Sequence, residues 1–201
     1  SYGRQNWFEP SAEEHRVVRE EVGLFDQCSF AKFRLQGRDA ECVLGQVAAN
    51  DVDVPIGRVV YTQWLNDSGC IEADLTVTRL AKDDYLIVTS GEFQVRDFHW
   101  LKNHIPDGAH AVLTDVTSGL SMLGVMGPRA RDLLQSLCPD DLSNSGFPFA
   151  TSREIELGFA YVRASRISYV GELGWELYIP SEFTTGVYDV LIEAGAEFGL
   201  R

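Results

Sequence analysis

Two short stretches carry residue types that could do chemistry. In Ile71-Glu72-Ala73-Asp74-Leu75-Thr76-Val77 the apolar residues hold the odd positions, so Glu72, Asp74 and Thr76 share the opposite face of a strand. Aspartate is disfavoured in the middle of a strand, which makes Asp74 a candidate acid–base or charge-stabilising group. The bland alternative is a solvated face, common in antiparallel sheets. The second stretch is Tyr169-Val170-Gly171-Glu172-Leu173-Gly174-Trp175-Glu176. Two glycines bracket Glu172, and glycine permits positive φ or close backbone approach, so the carboxylate could be presented on a tight turn. An ordinary hairpin turn is the competing reading.

Other constellations fall short of a site. Gly124-Val125-Met126-Gly127-Pro128 precedes a helix but lacks GxGxxG and a following Lys-Ser/Thr, so it is not a phosphate loop. His15, His99, His104 and His110 have no HxxxH or HxH spacing, and Cys28, Cys42, Cys70 and Cys138 form no CxxC pair. No metal site is expected, and the cysteines read as reduced, mostly buried thiols of a cytosol-like compartment or, in a eukaryote, the mitochondrial matrix. Ser118-Gly119-Leu120-Ser121 is not a nucleophile elbow.

Positioning these residues requires strands and turns. Arg58 to Leu65 and Ile71 to Leu80 are expected as strands joined by the hairpin turn Asn66-Asp67-Ser68-Gly69. Further strands are expected over Ala31–Leu35, Tyr85–Thr89, His110–Leu113, Ser121–Val125, Arg153–Leu157, Tyr161–Ser168 and Trp175–Ile179. A capping box at Ser11-Ala12-Glu13-Glu14 predicts a helix that Gly23 closes. Arg38–Ala49 and Glu92–Asn103 read as helices, the latter with Phe93, Val95, Phe98 and Leu101 available for packing. Pro128 leads into a helix over Ala130–Leu137, and Ser181 caps a last one through Glu197. Antiparallel hairpins interrupted by helices make the fold class α+β.

The chain has 201 residues, 45% of them hydrophobic, enough for one sizeable core or two small lobes. Its formal charge of −13 repels nucleic-acid phosphate and anionic lipid, so neither nucleic acid nor membrane is an expected partner. The end, EAGAEFGLR, carries no polar tail and reads as the edge of an excised domain.

Five stretches, in order, resemble the glycine-cleavage T-protein (aminomethyltransferase) family. They are Gly23-Leu24-Phe25-Asp26 with Lys32 to Ala40; Tyr61 through Leu65-Asn66 to Gly69; Glu72-Ala73-Asp74-Leu75; Gly127-Pro128-Arg129-Ala130; and Tyr169 to Glu176. Arg4-Gln5-Asn6-Trp7-Phe8, Phe30-Ala31-Lys32-Phe33 and the Tyr-Val-Gly-Glu-Leu-Gly-Trp-Glu form of the last stretch resemble the branch fused to FAD-dependent dimethylglycine and sarcosine dehydrogenases. Cys70 stands where the family commonly has the second glycine of a Gly-Gly turn.

The resemblance implies a folate-binding aminomethyltransferase-like fold, with residues 1–201 its N-terminal and central part and the terminal β-barrel lying beyond. It implies tetrahydrofolate as cofactor, Asp74 as the catalytic aspartate, Tyr61 and Tyr169 as cofactor-binding aromatics, and Glu172 as the carboxylate that holds the pterin edge. Asp74 is then expected to line a concavity with Tyr61 and Glu172. FAD would sit on another domain of the same full-length chain, since no GxGxxG occurs here. The implied activity is capture of a one-carbon unit from an oxidised N-methylamine as 5,10-methylenetetrahydrofolate. The alternatives are a stand-alone aminomethyltransferase and a non-catalytic folate-binding regulatory subunit. The iron–sulfur and tRNA-maintenance branch carries a Lys-Gly-Cys-Tyr motif that this sequence lacks.

Overall fold

A computed structural model describes residues 3–201. In chain order the elements are α1 (Phe8–Glu20), β1 (Gly23–Asp26), β2 (Ala31–Gln36), α2 (Ala40–Val47), β3 (Val59–Leu65), β4 (Ile71–Ala81) and β5 (Asp84–Thr89). Then follow α3 (Gln94–Asn103), β6 (Val112–Asp115), β7 (Leu120–Met126), α4 (Ala130–Leu137), β8 (Ser152–Leu157), β9 (Ala160–Ser165), β10 (Gly174–Pro180) and α5 (Thr184–Gly195). The mixture of helices and antiparallel pairings is the α+β class read from the sequence. The chain divides into two compact units. One contains residues up to Gln27, Ser121–Phe149 and Arg153–Arg201; the other contains Cys28–Leu120 and Ala150–Ser152.

The second unit is built on a five-stranded sheet ordered β3-β4-β5-β2-β6. One face is its core. Phe33 and Leu35 of β2, Trp64 of β3, Ala73, Leu75 and Val77 of β4, and Tyr85 and Ile87 of β5 pack there with Ala40, Val43, Leu44 and Val47 of α2 and Leu101 of α3. The period-two pattern of β4 sorts Ala73, Leu75 and Val77 as the alternation predicts, whereas Ile71 at the start of the strand is 67% exposed. Trp64 is fully buried and stacks on Trp100 at 5.2 Å between ring centroids. Of the α3 residues expected to pack, Leu101 is buried and Phe98 meets the Phe33 ring edge-on at 5.5 Å. Val95 points outward, and Phe93, partly exposed, lies under the Arg96 guanidinium.

The β3–β4 turn is tied by Asn66, whose Oδ1 accepts from Ser68 N and Cys70 N, both at 3.0 Å. Gly69 takes the positive φ, +75°, and Cys70 does not, so a side chain at position 70 costs the hairpin nothing in backbone strain.

The first unit holds a five-stranded sheet ordered β1-β7-β10-β9-β8. Its strand β10 is buried from Gly174 through Ile179, with no outward face. Several boundaries differ from expectation. Helix α1 starts at Phe8, three residues before the Ser11 capping box, because Pro10 is tolerated in a first turn whose N–H groups are unpaired anyway. Ser11 N already bonds Trp7 O within that turn. Gly23 does not close the helix but opens β1, which pairs antiparallel with β7 from Gly23–Met126 to Asp26–Leu123. Strand β6 lies two residues later than expected and β9 ends at Ser165. Ser181 opens a short 3-10 turn, and the residue at the N-cap of α5 is Phe183. Among the described residues the cysteines form no disulfide, but Cys42 and Cys70 are exposed, which corrects the expectation of mostly buried thiols. Among the described residues no helix is long and apolar enough to cross a membrane.

Candidate functional site

The face of the β3–β4 hairpin opposite the core carries Tyr61, Gln63, Asp74 and Thr76. Antiparallel pairing sets Gln63 directly opposite Asp74 and Tyr61 opposite Thr76. Asp74 therefore has one neighbour straight across and one on the diagonal, both within side-chain reach. Tyr61 Oη donates to Asp74 Oδ2 at 2.7 Å, and Gln63 Nε2 donates to Asp74 Oδ1 at 2.8 Å. Each carboxylate oxygen is held by one donor and retains a lone pair for another. The bond to Asp74 raises the Tyr61 phenol above its ordinary pKa, so Tyr61 stays a proton donor. Glu72, the third polar residue of β4, is engaged by Asn66 Nδ2 at 2.8 Å and serves the turn. Asp74 lies on an exposed face and Tyr61 is 61% exposed, so the aromatic ring offers a flat surface beside the carboxylate.

In the other unit the segment before β10 presents Glu172. Gly171 has φ +83°, a left-handed conformation that favours glycine. A Cβ at Gly174 would come within 2.6 Å of Met126 Cγ and 3.0 Å of Val125 O, so the chain passes tightly against β7 as it enters β10. Gly127 N donates to Leu173 O at 2.8 Å, which fixes the loop from the other side. Gly127, at φ +144°, also passes so close to Glu21 that a Cβ there would meet its carbonyl oxygen at 2.4 Å. Arg19, in the last turn of α1, donates through Nη1 to Glu172 Oε1 at 2.7 Å and to Val170 O at 2.9 Å. Glu172 Oε2 has no partner among the described residues. Tyr169 is 68% exposed, and its backbone N–H meets Met126 Sδ at 3.4 Å.

Of the four residues singled out in sequence, Tyr61 and Asp74 are brought into direct contact in one unit, and Glu172 and Tyr169 share one loop in the other. Gln63 and Arg19 were missed. Alternation puts Gln63 on the face of Tyr61, but a bulge between Trp64 and Leu65 shifts the register by one residue, so its place opposite Asp74 could not be counted from the Asn66–Gly69 turn. Arg19 is 153 residues from Glu172, and no spacing rule reaches that far. A further carboxylate, Glu176, lies inside β10, where burial pushes it up to about 7 against the opposing hydrogen bond from Tyr178 Oη to its Oε2 at 2.7 Å.

Chemically, the hairpin offers a carboxylate that can accept a proton or face a developing cation, flanked by an aromatic ring. The loop offers a carboxylate with open acceptor capacity, suited to paired N–H donors on the edge of a flat heterocycle.

Comparison with known proteins gives these arrangements a context. Residues 1–201 match the GCVT N-terminal domain family. The chain is 43% identical over its whole length to 4-methylaminobutanoate oxidase (formaldehyde-forming) of Paenarthrobacter nicotinovorans and 35% identical to human mitochondrial dimethylglycine dehydrogenase. It spans about a quarter of those relatives, 24% and 23% of their lengths. Its fold superimposes on the crystal structure of glycine cleavage system aminomethyltransferase T from Bartonella henselae with a TM-score of 0.81 at 23% identity, covering 94% of this chain and 49% of that one.

Proposed function

Since the chain belongs to the GCVT N-terminal domain family, we propose that it is the tetrahydrofolate-binding part of a dimethylglycine or sarcosine dehydrogenase-like enzyme, receiving a one-carbon unit as 5,10-methylenetetrahydrofolate. The observation that carries the reading is the Tyr61–Asp74–Gln63 arrangement, a carboxylate fixed at both oxygens beside an exposed ring. The donor set suits folate. A pterin edge presents an N–H and an exocyclic amine side by side, and Glu172 Oε2 is open to accept. Tyr61 and Tyr169 supply exposed rings for apolar contact with flat heterocycles. The set does not suit flavin, because the sequence has no GxGxxG and no strand–glycine loop–helix of that kind occurs among the described residues. A flavin on another domain would supply the two-electron oxidation of the methylamine.

When bound, tetrahydrofolate would supply the two nitrogens that take the carbon from the iminium, with release of the amine and one proton. Asp74 stabilises positive charge at the reacting carbon and accepts the released proton. Gln63 and Tyr61 keep its two oxygens in fixed directions, so the carboxylate need not reorganise as charge develops. Glu172 orients the heterocycle.

In the full-length protein Asp74→Asn keeps the shape and removes the charge. Formation of 5,10-methylenetetrahydrofolate should fall by about 10²-fold, the scale for a positioned acid–base group. Free formaldehyde should rise correspondingly, because the unprotected iminium hydrolyses. A normal rate of methylenetetrahydrofolate formation would return Asp74 to the status of a solvated strand residue. The relative named as formaldehyde-forming favours a second reading, in which the carbon leaves as formaldehyde without folate. Formaldehyde yield that is independent of added tetrahydrofolate in the unaltered protein would select it.

A further inference from the structure

The segment that presents Glu172 is tied at Leu173 and Gly174, but its apex has little to hold it. Nothing lies within 4 Å of a Cβ built on Gly171, so the apex of the turn is open. Gly171 itself is the residue with the greatest conformational freedom. Glu172 adds a flexible side chain whose ordering opposes any binding event that needs it fixed. Against this, a single guanidinium nitrogen reaches both ends of the apex. Arg19 Nη1 donates to Val170 O, just before Gly171, and to Glu172 Oε1, just after it. Arg19 is in the last turn of α1, where a cation is favoured by the helix dipole. The side chain that bridges the apex therefore comes from a separate, regular element.

We propose that Arg19 is a positioning residue that presets the Gly171–Glu172 turn, and the Glu172 carboxylate with it, for recognition of the pterin edge. This rests on the reading of Glu172 as the pterin anchor. The contact engages one lone pair of Oε1 and leaves the second lone pair and all of Oε2 to accept N–H groups of a ligand. Because one nitrogen makes both contacts, a lysine ammonium can replace it where reach allows. A glutamine keeps a donor but loses the charge that strengthens both bonds.

The test is a double-mutant cycle on tetrahydrofolate affinity, measured by calorimetry on the full-length protein with Arg19→Ala, Arg19→Gln, Arg19→Lys, Glu172→Gln and the Arg19→Ala/Glu172→Gln pair. Glu172→Gln and Arg19→Ala should each weaken affinity about tenfold, within the range for losing a charged hydrogen bond. Arg19→Gln should lie between Arg19→Ala and the unaltered protein, and Arg19→Lys should recover most of the loss. The double mutant should bind no more weakly than Glu172→Gln alone, because both Arg19 contacts reach the ligand only through the placement of that carboxylate. A residue that merely stabilises the fold would instead give losses that multiply, and that result would overturn the proposal. So would unchanged or tighter binding in Arg19→Ala, tighter binding marking the ion pair as a competitor of the ligand. Should Arg19→Ala fail to fold, Arg19→Gln takes its place in the same cycle, with the same two outcomes. If Glu172→Gln itself binds normally, the anchor reading falls; if it binds weakly while the Arg19 variants bind normally, only the positioning role falls.

Discussion

The two carboxylates are held by different kinds of structure. Asp74 is fixed by its own hairpin. Its donors are Gln63, 11 residues away, and Tyr61, 13 residues away, both on the adjoining strand. Glu172 is fixed by a helix from the far end of the sequence, 153 residues away. The first arrangement comes with the β-ladder, so once the strands pair in register the donors are in place. The second depends on α1 docking correctly on its unit. On the function proposed, Asp74 manages charge and benefits from the stiffer frame, whereas Glu172 recognises a ligand edge and tolerates a turn that can adjust.

Three further changes probe that contrast. The largest effect is expected at Trp64, which faces the core from the strand that carries Gln63 and Tyr61. Trp64→Ala should lower the opening free energy of the β3 and β4 amides by about 3–5 kcal/mol, the scale for emptying a large buried site. Native-state hydrogen exchange measures it. Protection that barely changes would mean the ladder alone holds the Asp74 frame. Next comes Glu176, in the unit of Glu172. Its carboxyl has an ordinary value of 4.5 when unfolded and is pushed up to about 7 by burial. The folded state therefore binds a proton that the unfolded state has released between these values. The stability due to the neutral carboxyl is complete below pH 4.5 and is lost as pH rises to 7, by about 3 kcal/mol in all. Glu176→Gln, neutral throughout, should lack this slope, so parallel pH–stability curves for variant and parent would sink the claim. The smallest effect is at Tyr61. Asp74→Asn should return its raised phenol titration toward the ordinary value of 10, seen by NMR of ring-labelled tyrosine. No movement would show that Asp74 does not govern the phenol in solution.

How far sequence reaches follows the same division. Alternation in β4 sorted Ala73, Leu75 and Val77 from Asp74 and Thr76, and the Asn66–Gly69 signal located the turn, because both are local consequences of side-chain geometry. Asp74 stood out by its mid-strand place and Tyr61 came from family resemblance, but their contact depends on the bulge between Trp64 and Leu65, which no local pattern announces. Strand β1 was missed because four residues are too few for a period, and its pairing with β7 lies about a hundred positions along the chain. The start of α1 was misplaced because Ser11 is a good cap only if the chain before it is not already helical. Arg19 was invisible for a physical reason: an arginine on the exposed side of a helix looks the same whether it meets water or a distant carboxylate.

Burial of Lys32 has a last consequence. This residue is fully enclosed in β2, and its ammonium donates to the carbonyls of Cys28 and Phe30 at 2.9 and 2.6 Å. The chain has only three lysines, and the other two, Lys82 and Lys102, are exposed. Amine acylation should therefore mark those two at once and leave Lys32 untouched until its surroundings open. The molecule carries its own covalent clock: the ratio of acylated Lys32 to acylated Lys102 in a digest counts how often β2 has been laid bare.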